Sequence, residues 1–473
     1  MSVSLGDNRP FCACSTPAFN AGIAVIRACG EGCIEIADKC IRIIRAAQGK
    51  SCVALSRLEG YEAAFCEFYD PETNSTIDRV VTTVFKTPHS YTGDYMVEIS
   101  CHGGEAVVNE ILRVLYAQGM RPALPGEFTR RAFVNGKLDL SEAEAVMKVI
   151  SAESERSLRA ANSQLYGKLS GRLSAIEEKL YKVLALIEMI VEFPEHDDTP
   201  ENEDGVIQAI NECEKEVRDL AASYGKGKVL NAGMKVVLIG LPNSGKSTLL
   251  NTIAGFERAI VTEIPGTTRD TLEIRVNIDG IPVTLTDTAG IRETQDTVER
   301  IGVTRAIDAA NEADLVLCLI DPDSTPDNVS DIIKDAPADR TVAVFTKSDI
   351  GANALESAIV EILMDAGITK KMTISSKKEI NIDSIKDAIV SRYEELGGGM
   401  SDDVIIINER HKDLLTSAAD KLSEAYSAAS AGLGVDIASS VVRAALDDLG
   451  LITGKIVSAS LVDTIFEGFC IGK

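Results

Sequence analysis

The residues best placed to do chemistry in this chain lie in one short run, Gly240-Leu-Pro-Asn-Ser-Gly245-Lys246-Ser247. Glycines let backbone N–H groups approach phosphate oxygens, and a helix starting at the end of the run adds positive potential. Lys246 is spaced to reach the β- and γ-phosphates of a nucleotide, and the Ser247 hydroxyl to ligate Mg²⁺. Asn243, Ser244, Gly245 and Thr248 supply the remaining contacts of this loop. Downstream, Asp287-Thr-Ala-Gly290 offers a carboxylate that can hold Mg²⁺ through water and a Gly290 N–H for the γ-phosphate. Between them, Gly266-Thr267-Thr268-Arg269-Asp270 supplies hydroxyls, and Thr268 can complete the Mg²⁺ shell.

The base is addressed further on, by Thr346-Lys347-Ser348-Asp349. Asp349 can accept from N1–H and the exocyclic amine of guanine, two donors that adenine lacks, so an ATPase is disfavoured. In Ser375-Ser376-Lys377 a backbone N–H can meet the guanine carbonyl. Two positions depart from common GTPase patterns. Thr346 stands where Asn is usual, keeping a hydroxyl. Ile291 stands where many small GTPases orient water with glutamine, and an apolar side chain cannot do that. Asn243 has an oxygen that can help hold a monovalent cation against the phosphates, in place of an arginine finger. A loop-stabilising asparagine fits the same spacing.

These residues need a parallel α/β scaffold, and the surrounding pattern supplies one. Apolar runs Lys235–Ile239, Val283–Thr286 and Thr341–Phe345 read as strands, and Thr248–Ala254 as a helix, within a segment from about 230 to 393. Residues 1 to about 122 mix short apolar runs (Ala21–Arg27, Val80–Phe85, Met96–Ser100) with Gly and Pro, the pattern of a small α/β domain. From Leu140 to about Glu192 apolar residues recur at helical spacing through Ala143, Val146, Ile150, Leu158, Leu165, Leu169, Leu186 and Ile190. Ser141 and Glu144 have the spacing of a capping box. Pro194 and the acidic stretch Glu195–Asp204 end this run, and further helix reaches about Ala222 before a Gly/Lys link at Tyr224–Lys228. After Gly397–Gly399 the chain returns to helices, roughly Asn408–Ala431, Asp436–Leu449 and Ser458–Phe466. One helical domain split around an inserted nucleotide domain accounts for both flanks; two separate helical domains account for them as well.

At 473 residues the chain has length for two to four domains, and 45% apolar residues suffice for substantial cores. No apolar run approaches the length of a membrane-crossing helix, and the N-terminus lacks signal-peptide regions. Eleven cysteines in a chain of this size suit a reduced, cytosolic protein. Cys12, Cys14, Cys29, Cys33 and Cys40 cluster early, but without zinc spacing they read as buried thiols. A net charge of −24 argues against broad polyanion binding while leaving room for a local nucleic-acid patch.

Three G-segment stretches, GLPNSGKSTLLN (240–251), IVTEIPGTTRD (260–270) and DTAGIRETQDTVERIG (287–302), accompany GDYMVEISCHGG (93–104), PGEFTRRAFVNGKLDLSEAEA (125–145) and a terminal FCIGK (469–473). On these the chain resembles, over essentially its whole length, the MnmE (TrmE) family of tRNA modification GTPases. The resemblance implies an α/β domain over 1–122 that dimerises and binds folate, and a helical domain over 123–229 and 394–473. A Ras-like P-loop G domain over 230–393 would be inserted in it. It implies a potassium-activated GTPase that works with the FAD-dependent partner MnmG (GidA) in a heterotetramer. Together they would place an aminomethyl or carboxymethylaminomethyl group at C5 of the wobble uridine, position 34, of certain tRNAs. The one-carbon unit would come from 5-formyl- or 5,10-methylene-tetrahydrofolate.

By that resemblance Arg27, Glu98, Lys137 and Lys473 match folate-contacting positions. K⁺ would be held by Asn243 with oxygens of Thr262, Ile264 and Thr267, and Mg²⁺ by Ser247 and Thr268. Glu299 matches a glutamate that arranges hydrolysis, and Cys470 a thiol needed for tRNA modification. The implied setting is a cytoplasmic homodimer with no membrane contact. Read without the family, Arg27, Lys137 and Glu98 are more readily an exposed cation, a helix-cap lysine and a strand-edge carboxylate, since single charged residues carry little information. The rival class is a nucleotide-switch binding protein, such as a ribosome-assembly factor, in which the flanking domains only recruit partners.

Overall fold

A computed structural model describes residues 9–17, 21–46, 54–192, 199–256, 272–287, 309–397, 404–431 and 435–473. The chain divides into two compact units. The first comprises 1–150, 164–214 and 417–473, and the second 151–163 and 215–416.

In the first unit seven strands form one sheet: β1 (Phe11–Cys14), β2 (Ala21–Cys29), β3 (Ile41–Ala46), β4 (Ala63–Asp70), β5 (Ser75–Phe85), β6 (Met96–Gly103) and β7 (Arg121–Pro122). Their order is β3-β4-β5-β6-β2-β1-β7, antiparallel except where β1 meets β7. The period-2 alternation of β2 sends Ala24, Ile26 and Ala28 to one face, where α1 (Cys33–Lys39) and α2 (Glu105–Ala117) add Cys33, Ala37, Ile111, Val114 and Leu115 to a buried core. Arg27 points to the opposite face, opposite Glu98 in the register of β2 and β6. There α3 (Glu127–Val134) brings Phe128 against Phe11, with Cys29 and Met96 beneath.

The helical run expected from Leu140 is three helices, α4 (Leu140–Ile150), α5 (Glu155–Leu165) and α6 (Lys168–Glu192). Gly167, at φ 75°, breaks the last two apart, and Ile150, Leu158 and Leu186 are exposed rather than core. The capping box lies two residues earlier than the spacing suggested. Asp139 Oδ1 accepts from the Glu142 N–H and Glu142 Oε2 from the Asp139 N–H, each at 2.8 Å. Such a reciprocal pair is worth about 1 kcal/mol. Ser141 instead donates to Asp139 Oδ1. Along α6, Leu169, Leu173, Ile176, Leu180, Val183, Ile187 and Ile190 bury one stripe.

The second unit carries the expected parallel sheet. Strands β8 (Met234–Gly240), β9 (Leu272–Ile278), β10 (Ile281–Asp287), β11 (Leu315–Ile320), β12 (Thr341–Phe345) and β13 (Lys371–Thr373) lie in the order β13-β12-β11-β8-β10-β9, with only β9 antiparallel. All six residues of β11 are buried, as a central strand covered on both faces requires. Helices α7 (Thr199–Ala222) and α8 (Tyr224–Ala232) precede the sheet, so Tyr224–Lys228 is helix rather than a link. Gly227 allows this helix to pass Ile406, whose carbonyl oxygen would lie 1.8 Å from a Cβ. Helix α9 (Lys246–Phe256) follows β8, then α10 (Pro326–Ile333), α11 (Glu356–Asp365) and α12 (Ile382–Glu395) alternate with the strands. Helices α13 (Glu409–Ser430), α14 (Val435–Thr453) and α15 (Ala459–Glu467) complete the chain. Among the described residues no helix is long and apolar enough to cross a membrane.

Candidate functional site

The carboxyl ends of β8, β10, β11 and β12 meet in one crevice of the second unit, the place where open parallel sheets bind ligands. Between β8 and α9 the loop takes three positive φ values: Gly240 at 151°, Asn243 at 64° and Gly245 at 99°. Gly240 has no alternative, because a Cβ there would lie 2.6 Å from the Leu319 carbonyl oxygen. Asn243 is among the few non-glycine types that tolerate this backbone region, and its side chain is exposed.

Lys246 folds back on the loop, donating to the carbonyls of Gly240 (2.8 Å) and Leu241 (2.7 Å). Burial pulls its ammonium below the usual lysine pKa, against the opposing attraction of Asp287 and Asp321. Ser247 Oγ donates to Asp287 Oδ2 at 2.9 Å. These two oxygens, with the buried Asp287 at the end of β10, form a compact hard-oxygen donor pair that fits Mg²⁺. Ser244 Oγ is buried and makes no hydrogen bond among the described residues, a group suited to an incoming phosphate oxygen.

On the base side, successive residues after β12 tie neighbouring loops together. Thr346 Oγ1 donates to the Ser244 carbonyl at 2.8 Å, so the threonine hydroxyl bridges to the phosphate loop. Lys347, at φ 58°, pays about 1–2 kcal/mol for a left-handed backbone and pairs with Asp321 Oδ2 at 3.0 Å. Asp349 Oδ1 accepts from Ser375 Oγ at 2.6 Å, and that hydrogen bond holds its carboxyl below the ordinary aspartate pKa. The ionised form, which accepts only, is therefore favoured. The Ser375 N–H is spent on the Ile380 carbonyl, so Ser375 serves here through its hydroxyl.

Asp321 was not singled out in the sequence. A lone aspartate just after an apolar strand carries no motif, and only the run LVLCLI ending at such a crevice could have pointed to it. Burial opposes its ionisation, yet hydrogen bonds from Ser324 and Lys347 hold its pKa low. Thr262, Ile264, Thr267, Thr268, Gly290 and Glu299 lie outside the described residues.

A second constellation occupies the first unit. Arg27 gives Nε (2.9 Å) and Nη2 (2.6 Å) to Glu98 Oε1, so the two residues pair with each other across β2 and β6. The guanidinium lies 5.6 Å from the ring centroids of both Tyr91 and Phe128. Lys137 Nζ donates to the Pro88 carbonyl at 3.2 Å, in the same loop as Tyr91. The tail reaches this region through its backbone. The Phe128 N–H donates to the Lys473 main-chain oxygen (3.2 Å), Gly126 N–H to Cys470 O (3.4 Å) and Ser15 Oγ to Gly472 O (2.9 Å). Gly472, at φ 95°, would set a Cβ 2.4 Å from the Cys14 carbonyl oxygen. Arg27, Lys137 and Lys473 thus each touch α3 or the loop before β6, and Glu98 joins them through Arg27. A ring-flanked guanidinium paired with a carboxylate offers a flat, polar surface of the kind that a folate's ring and carboxylates could meet.

A family profile described as the MnmE helical domain matches residues 140–470, and one described as the GTP-binding protein TrmE N-terminus matches 10–137. A protein of Carboxydothermus hydrogenoformans named tRNA modification GTPase MnmE is 36% identical over 467 residues, covering 98% of each chain. One of the same name from Thermus thermophilus is 39% identical over 467 residues, covering 98% of this chain and 99% of its own. Among solved structures, the G domain of the T. maritima FeoB iron transporter is 21% identical over 34% of this chain and 98% of that one, with a TM-score of 0.26.

Proposed function

Since the chain belongs to the MnmE family of tRNA modification GTPases and is a GTP hydrolase, we propose that it uses GTP to drive modification of C5 of the wobble uridine (position 34) of certain tRNAs. The product is an aminomethyl or carboxymethylaminomethyl derivative. The observation that carries the GTPase half is the single crevice in which Lys246, the Ser247–Asp287 pair and Asp349 converge.

Mg²⁺ would sit at Ser247 and Asp287 with Thr268, supplying positive charge at the phosphate oxygens. Lys246, now bonded to two loop carbonyls, exchanges those for β- and γ-phosphate oxygens. An anionic ligand there opposes the effect of burial and favours the lysine's charged form. Asp349 selects guanine. Asn243, with Thr262, Ile264 and Thr267, is assigned to K⁺, and Glu299 to the arrangement of the attacking water. The Asn243 assignment is supported by its place in the loop and by Ile291, which cannot orient water.

The proposal extends to the first unit. The face bearing Arg27, Glu98, Lys137 and Lys473 takes 5-formyl- or 5,10-methylene-tetrahydrofolate, and Cys470 acts on the one-carbon unit. The helices on either side of 230–393 form one domain interrupted by the G domain. The working assembly is a homodimer joined to the FAD-dependent MnmG (GidA) as a heterotetramer in the cytoplasm, with tRNA as substrate.

Two measurements test the reading. Hydrolysis should run up to about a hundredfold faster in K⁺ than in Na⁺, with Asn243→Ala flattening the difference. Equal rates at matched ionic strength would remove the cation from the mechanism. Cys470→Ser should abolish wobble-uridine modification, read by nucleoside mass spectrometry in a complemented deletion strain, and leave the GTPase rate near the parent's. Full modification by this variant relegates Cys470 to packing.

A further inference from the structure

A buried carboxylate in the second unit belongs to none of the nucleotide motifs. Asp321 follows β11 directly, is 6% exposed, and makes a closed set of bonds. Its Oδ1 accepts from Ser324 Oγ at 2.8 Å, its Oδ2 from Lys347 Nζ at 3.0 Å, and its own N–H donates to Ser324 Oγ at 3.1 Å. Asn353 Nδ2 then donates to the carbonyls of Asp321 (3.0 Å) and Ser324 (2.9 Å).

We propose that Asp321 is a positioning residue for guanine recognition, acting through Lys347 to hold the turn in which Asp349 meets the base. The proposal rests on the reading of Asp349 as the acceptor for guanine. A buried carboxylate is costly unless its partners compensate, and an apolar residue would close the end of β11 more simply. What the carboxylate adds is direction. Lys347 is still 31% exposed at its side chain and could be solvated by water, but the pair confines it to one orientation.

That confinement matters because Lys347 carries a left-handed backbone and opens the turn closed by the Ile350 N–H on the Lys347 carbonyl (2.9 Å). Asp349 lies inside this turn. Three side-chain ties therefore fix it: Thr346 to the Ser244 carbonyl, Lys347 to Asp321, and Asp349 itself to Ser375. Releasing the middle tie loosens the base acceptor while leaving Ser247 and Asp287 on their own loops. Affinity and base choice should fall, and the rate of hydrolysis of bound GTP should not.

The test uses the full chain and a double-mutant cycle. Release of a fluorescent GDP and competition between GDP and IDP, which lacks the exocyclic amine, are measured for Asp321→Asn, Lys347→Met and the pair. Each single variant should release GDP roughly tenfold faster and lose much of the GDP-over-IDP preference, and in Asp321→Asn kcat at saturating GTP should stay within about twofold. The double variant should be no worse than either single one. Additive effects, or a fall in kcat and melting temperature with base preference intact, overturn the proposal in favour of a packing role. If Asp321→Asn fails to fold, Lys347→Met and Ser324→Ala carry the same comparison. Asp349→Ala separates the two failures. Intact base preference in that variant removes the underlying reading, whereas lost preference there with retained preference in Lys347→Met removes only the role of Asp321.

Discussion

In the nucleotide crevice three functional groups are held by partners on neighbouring segments at the same end of one sheet, Ser247 by Asp287, Thr346 by Ser244 and Asp349 by Ser375, and Lys246 by carbonyls of its own loop. On the Arg27 face strand register pairs residues 27 and 98, while residues 137 and 473 are held nearby in sequence-distant segments by the Pro88 carbonyl and the Phe128 N–H. The first site is built by local backbone geometry repeated at strand ends. The second is built by long-range pairing, so a change in register or in tail docking displaces its members independently. A site of the first kind fails through its loops, and one of the second kind through its supports.

The sharpest way to break this comparison is Lys246→Ala. Hydrolysis of GTP should fall by about a hundredfold or more, while binding of 5-formyltetrahydrofolate, followed by calorimetry, stays unchanged. A parallel loss of folate affinity would mean that the two regions are not chemically separate. A smaller effect is expected on the other side. Arg27→Ala strands the Glu98 carboxylate and removes a ring-flanked guanidinium, which should weaken folate binding roughly tenfold with the GTPase rate intact. Arg27→Lys should not restore it, because an ammonium cannot present the fork that Arg27 gives Glu98. Normal binding by the lysine variant would leave only charge, not shape, as the requirement.

The smallest effect concerns the tail. Ser15→Ala removes one hydrogen bond to Gly472, worth about 1 kcal/mol, and should raise the exchange rate of backbone amides over 469–473 a few-fold. Unchanged exchange would show that Gly126 and Phe128 hold the tail without help. Thiol labelling gives an internal control for that experiment. Cys470 is exposed, whereas burial pushes Cys12 and Cys29 up to about 12, so labelling near pH 8 should reach Cys470 and spare those two.

The same contrast explains what could be read from the amino-acid order. Glycine at 240 and 245, lysine at 246 and serine at 247 announce a phosphate loop because the chemistry needs them adjacent. The parallel sheet that carries them was legible from apolar runs at the matching places. Asp321 escaped notice since its partners, Ser324, Lys347 and Asn353, share no fixed spacing with it. The Arg27–Glu98 pair is invisible without the register of β2 and β6, and taken singly each residue is an ordinary surface charge. Helix ends were harder. Asp139 outcompetes Ser141 as the cap because its carboxylate reaches the Glu142 N–H, a choice that helical periodicity does not express. Tyr224–Lys228 read as a link on its two glycines, yet Gly227 is there to let a helix pass close to Ile406.

The stripe of α6 also bears on how the chain comes off the ribosome. Leu169 to Ile190 must bury against helices of the same unit, among them α14 at Val435–Thr453. Residues 215–416, which belong to the other unit, are made in between. The N-terminal sheet has all its strands once Pro122 has emerged, and the nucleotide-binding sheet once Thr373 has. The apolar face of α6 thus waits for its partner until both sheets have been made. During synthesis it is therefore a surface open to premature association, and a place where a chaperone of nascent chains would be useful.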